Sequence, residues 1–218
     1  MANILLNYYN FDGDWAKEHV APYLTGKKVL ILPLAFREIQ AWDYDSWQNI
    51  YGKNGEKYQN IIRPFLAFGI DEEKICWLNC FDKSQNHIDM IQNADVLFFT
   101  GGMPEKAIAW MEKLGITDAV KNFDGTVMGA SAGAMLQLES YHITPDDDYE
   151  SYGLWKGLGL VKGLDLEVHY LATDLQNSCT KQAIVDLKLP VYQMWHEGGL
   201  IVDGDSVKIL GNVNKVEQ

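Results

Sequence analysis

The chain has 218 residues, 47% of them hydrophobic and 22% charged, enough apolar material to bury a core without metal or disulfide staples and too much for a disordered or collagen-like chain. Acidic residues outnumber basic ones 30 to 18, for a net charge of −12. With no basic cluster to neutralise phosphates, neither nucleic acid nor an anionic membrane surface is expected as a partner, and no apolar run approaches the ~20 residues of a membrane span.

In chain order, residues 4–9 read as a first strand and 14–24 as a helix that stops at Gly26. Residues 28–36 (KVLILPLAF) are apolar almost throughout, as parallel strands buried on both faces usually are. Residues 43–68 read as mostly helical with a break near Gly52–Gly55, 74–81 as a strand and 84–92 as a short helix. Residues 95–100 (DVLFFT) form another buried strand, and 104–114 a helix with Pro104 in its first turn, where a missing N–H costs nothing. Residues 126–130 (TVMGA) read as a strand and 132–139 as a helix. Shorter strands follow at 142–144, 164–170, 191–195, 200–202 and 207–210, with Asp203-Gly204-Asp205 as a hairpin turn. Strands alternating with helices predict an α/β architecture, a mostly parallel sheet covered on both faces, with a more antiparallel final third. The length fits one domain over residues 1–218.

The three cysteines, Cys76, Cys80 and Cys179, are too few and too oddly spaced for a disulfide framework or a CxxC motif. The N-terminal MANILLNYYNFDGDW has no basic signal-peptide region, and the chain has no N-x-[ST] sequon. Both features fit a cytoplasmic, reducing compartment.

The sharpest chemical motif is Gly129-Ala130-Ser131-Ala132-Gly133, a G-x-S-x-G set between an apolar strand and an apolar helix. A serine on such a turn projects its hydroxyl outward, and the following amide, that of Ala132, opens a helix where negative charge is favoured. The plainer role for Ser131 is that of a helix N-cap. Thr100-Gly101-Gly102-Met103-Pro104 ends the DVLFFT strand, and Gly102 N–H is a candidate second oxyanion donor at the carboxyl end of the sheet. Five histidines are present; spacing alone does not choose among His142, His169 and His196 as the base. Glu197, Asp174 and Glu167 are the candidate orienting acids. The run Asp146-Asp147-Asp148 with Glu150 is either a solvated loop or a negative rim that favours a cationic substrate group.

Assembled, these residues resemble the peptidase S51 family, which includes the aspartyl dipeptidases (peptidase E) and the cyanophycinases. The likeness runs through KVLILPLAF, DVLFFTGGMPEKAIAWMEKLGI, TVMGASAGAM, GLGLVKGLDLEVHY and PVYQMWHEGGLIVDGDSVKILG, nearly the whole chain. The resemblance implies a flavodoxin-like, class I glutamine amidotransferase-like three-layer sandwich. It implies Ser131 as nucleophile, His169 as base, Glu197 as triad acid, and Gly102 and Ala132 as oxyanion donors. A small peptide is the implied substrate, with no metal or organic cofactor. An alternative triad of Ser131, Asp174 and His196 would follow α/β-hydrolase order. The chain departs from peptidase E where that family has Asn-Pro before its histidine and a Gly-Gly-Asn loop; Glu167-Val168 and Gly101-Gly102-Met103 stand there instead. An acidic substrate side chain would need a basic partner, and Lys156 and Lys162 are the nearest in sequence, so strict aspartyl specificity is not carried over. Two other readings share the fold: an esterase or amidase with the same triad, and a catalytically silent binding protein. Neither the substrate-contacting residues nor the oligomeric state is fixed by the sequence.

Overall fold

The near-continuous apolar runs of the first two thirds are the buried centre of a sheet. The computed structural model describes residues 2–217. Its elements are β1 (Ala2–Leu6), α1 (Lys17–Leu24), β2 (Val29–Leu32), α2 (Tyr44–Tyr51), α3 (Tyr58–Ala67), β3 (Ile75–Trp77), α4 (His87–Gln92) and β4 (Val96–Phe99). They continue with α5 (Pro104–Lys113), α6 (Thr117–Lys121), β5 (Thr126–Ala130), α7 (Ala132–Met135), β6 (Ser140–Ile143) and β7 (Gly153–Lys156). The last are β8 (Asp165–Glu167), α8 (Asp174–Leu187), β9 (Val191–Asp203) and β10 (Ser206–Val216).

The sheet order is β10-β9-β1-β5-β4-β2-β3, with β8 also beside β9. From β1 to β3 every pairing is parallel, and β9 and β10 add an antiparallel edge. Helices cover the parallel strands, giving the flavodoxin-like α/β sandwich that the alternation of strands and helices predicts. Alternation along β1 divides the core: Ile4 and Leu6 join the larger cluster under the parallel strands, and Leu5 joins a second cluster with Met194, Leu200 and Val202.

Strand β9 is the spine of the C-terminal part. Its last residues pair antiparallel with β1, Gly199 opposite Leu6, while its first residues pair parallel with β8, Val191 opposite Asp165. Strands β8 and β1 therefore lie along the same edge of β9 and meet end to end. Buried Asn7 fills the junction: its amide nitrogen donates to the carbonyls of Met194 (3.0 Å) and Trp195 (2.7 Å), and its backbone N–H to Gly198 (3.0 Å). These bonds tie β9 to the end of β1, and the Met194 carbonyl also accepts from Tyr170 N–H at 3.0 Å.

Several boundaries differ from the sequence reading. Pro33 follows β2 directly, so only VLIL of the 28–36 run pairs as strand. The runs at 191–195 and 200–202 are one strand bridging two neighbours. The helix expected over 132–139 is α-helical only over Ala132–Met135. Helices α6 and α8 have no counterpart in the sequence reading. The longer, α8, buries only Cys179, Thr180, Ala183 and Ile184 and leaves Leu175 and Val185 exposed, so its apolar periodicity is weak. Its start is nonetheless written in Thr173 and Gln176: the Thr173 hydroxyl accepts from the Gln176 amide at 3.2 Å, the spacing of a capping box.

Candidate active site

The segments that follow β4, β5 and β8 meet in one cleft at the carboxyl side of the sheet. Strand β5 ends in Ser131, which turns into α7 with φ 53° and ψ −117°. A non-glycine residue held there costs about 1–3 kcal/mol and persists only where the surroundings over-determine it. Here Ser131 N–H donates to Leu6 O at 2.8 Å, locking the turn to β1. Gly133 lets α7 sit directly on β4, since a Cβ there would come within 2.1 Å of Phe99 O. Gly102, after β4, has φ 135°, and a Cβ on it would meet Ala35 O at 2.0 Å. The Tyr9 hydroxyl accepts from Gly101 N–H at 2.7 Å and fixes the loop; burial pushes that phenol up to about 12.

His169 arrives from the other side, two residues after β8, also with positive φ (53°). Its Nε2 lies 2.8 Å from Ser131 Oγ. Its backbone N–H donates to Asn7 Oδ1 at 2.7 Å, and its ring packs on Tyr8 with centroids 4.4 Å apart. Gln176 of α8 stitches the segment down: its amide nitrogen donates to His169 O (3.0 Å) and Glu167 Oε1 (3.2 Å), and its oxygen accepts from Leu171 N–H (2.8 Å). Burial holds His169 below the ordinary histidine range, and the charges of Asp146 and Glu167 only partly oppose this. The imidazole is therefore neutral near pH 7, the form that can accept a proton.

His142 does the opposite. It is buried, with Nδ1 2.6 Å from Asp165 Oδ2 and Nε2 2.7 Å from Glu167 Oε2. Burial alone would lower its pKa, but the hydrogen bonds and charges of the two carboxylates push it up to about 10. Glu167 Oε2 also accepts from Thr144 Oγ at 2.6 Å. Histidine ring-proton titration by NMR should therefore show two contrary curves: His169 losing its proton below the ordinary value of about 6.5, and His142 keeping its proton until near pH 10. Titration of both rings near 6.5 would contradict this electrostatic picture.

The structure thus brings Ser131, His169 and Gly102 to one cleft of about 310 Å³, while Ala132, buried, opens α7 directly after Ser131. It does not join Glu197 to them. That side chain is exposed on β9, and His169 Nδ1 is buried without a hydrogen-bond partner. Of the rival residues, His196 also packs on Tyr8, with ring centroids 4.8 Å apart, and Asp174 begins α8, exposed. His142 and Glu167 line the cleft but bond to each other. In the acidic run, Asp146 lines the cleft, Asp148 is paired with Arg37, and Tyr149 donates to Glu105 at 2.7 Å. The sequence reading missed Asn7, Tyr8 and Gln176. Among the described residues no group of three or more His, Cys, Asp or Glu is arranged to hold a metal ion, and no helix is long and apolar enough to cross a membrane.

Two solved structures share this architecture. One is a candidate peptidase E protein from Listeria monocytogenes EGD-e, with TM-score 0.62 and 17% identity over 95% of this chain and 96% of that one. The chain carries that fold. The other is a peptidase from an acI-B1 Actinobacterium, with TM-score 0.60 and 14% identity over 99% of this chain and 93% of that one. No protein-family model and no curated protein matches the sequence.

Proposed function

We propose that this protein is a serine-type peptidase that hydrolyses small peptides. The observation that carries the reading is the 2.8 Å approach of His169 Nε2 to the hydroxyl of Ser131, on a strand-to-helix turn strained to positive φ. A nucleophile needs a base within about 2.6–3.2 Å, itself held in orientation. The neutral His169 takes the Ser131 proton as Oγ attacks the scissile carbonyl. The Gly102 and Ala132 amides stabilise the oxyanion of the tetrahedral intermediate. The imidazolium then gives its proton to the departing amine, and water, activated by the same base, releases the acyl group from Ser131. Glu197 enters this scheme through the sequence resemblance alone. The peptidase descriptions of both structural neighbours agree with the reading, and the cleft volume lies at the low end of the roughly 300–1,000 Å³ usual for small-ligand sites.

A peptide-library digest read by mass spectrometry tests the proposal. The wild-type protein should generate cleavage products that Ser131→Ala does not. Identical profiles from the two proteins would refute it.

A further inference from the structure

The walls of the cleft say more than its catalytic corner. Met135, Ile143, Leu166 and Val168 line its inner part, and Leu171 and Leu175 its rim. Those two leucines are 77% and 50% exposed. A single exposed leucine means little, but apolar surface continuous from a buried floor to an open rim marks a place where something apolar binds.

The charges in the same lining are one-sided. Asp146 and Glu167 both face the cleft, and among the described residues no lysine or arginine lines it. The one cation present, His142, has both ring nitrogens taken by Asp165 and Glu167, leaving no donor for a substrate. Arg37, the nearby guanidinium, is engaged with Asp148. A side-chain carboxylate on the acyl-side residue, held against this lining, would lose its water and meet carboxylates with no free cation, which is unfavourable.

Resting on the peptidase reading above, we propose that the cleft selects peptides whose acyl-side residue is apolar and rejects those in which it is aspartate or glutamate. Burying a leucine-sized side chain in place of water favours binding by about tenfold or more, before any repulsion of the acid is counted.

The test separates recognition from turnover. Binding of Leu-Ala, Phe-Ala, Asp-Ala and Glu-Ala to the full-length Ser131→Ala protein is measured by calorimetry, alongside kcat/KM of the wild-type protein on the same dipeptides. Leu-Ala and Phe-Ala should bind at least tenfold more tightly than Asp-Ala and Glu-Ala. Leu175→Arg, a change at an exposed rim position, should shift the ratio toward the acidic pair by about tenfold, because it supplies the missing cation. Equal or tighter binding of Asp-Ala, no binding by any of the four, or a ratio unmoved by Leu175→Arg would overturn the proposal. If the apolar preference in binding holds while the wild-type protein cleaves nothing, the selectivity stands and the hydrolytic reading falls. If the wild-type protein cleaves Asp-Ala best, the hydrolytic reading stands and the selectivity falls.

Discussion

Replacing Ser131 by alanine, or His169 by glutamine, should lower kcat/KM on a cleaved peptide by about 10³-fold or more, with little change in thermal stability. Neither change removes a core contact: both side chains sit at the cleft, and their strained backbones are held by N–H bonds to Leu6 O and to the Asn7 side-chain Oδ1. Because the two groups act as a unit, the double variant should be scarcely worse than either single one. Additive losses would mean that Ser131 and His169 act separately, contrary to the scheme. Glu197→Gln reports on the third member. A loss near 10⁴-fold, the scale for an orienting triad acid, would show Glu197 reaching His169 in the substrate complex. A loss below about tenfold would leave Ser131 and His169 working as a pair.

The largest stability effect is expected at His142. His142→Leu leaves Asp165 and Glu167 buried without their shared cation, and breaking such a cluster from one side typically costs about 3–5 kcal/mol. In a chain of this length that is a fall in Tm of roughly 6–20 °C. The triple variant with Asp165→Asn and Glu167→Gln should recover part of the loss, because neutral amides need no counter-charge. The wild-type protein should show the same ion cluster through pH. The folded pKa of His142 is raised to about 10, so its protonated form favours the folded state. That contribution is complete below the unfolded value of about 6.5 and is lost as pH rises toward 10. Thermal melts between pH 6.5 and 10 should show Tm falling in the wild type and a shallower slope in His142→Leu. Parallel slopes would rule out a charged His142.

The parallel strands and the Ser131 turn were legible because each has a strong local signature. VLIL and VLFF are apolar at every position, and Ser131 lies between glycines at a strand end, where the close approach of Gly133 to Phe99 O admits no side chain. What remained hidden depends on long-range contacts. Asn7 looks like any polar residue at a strand end until β8 and β1 are seen to meet there. His142 and Glu167 were weighed separately as base and acid; 25 positions apart, nothing local shows them bonded to each other. Helix α8 was missed because packing on a few small residues leaves a weak periodic trace, and Gln176 was missed with it. The resemblance singled out His169 where spacing could not choose among three histidines. It placed Glu197 in the site too, and there the resting geometry does not bring the groups together.

Ser131 and His169 come from distant parts of the chain, yet their backbones hang from adjacent links: Ser131 from the carbonyl of Leu6 and His169 from the side chain of Asn7. The path from one backbone to the other thus runs through the Leu6–Asn7 peptide unit, the Asn7 side chain and two hydrogen bonds, without crossing the molecule. Asn7 also bonds the Met194 and Trp195 carbonyls of β9, and Gln176 of α8 bonds His169 O, so the 2.8 Å separation is referred to β1, β9 and α8 together. One dipeptide at the end of the first strand is thus the shared anchor of both residues.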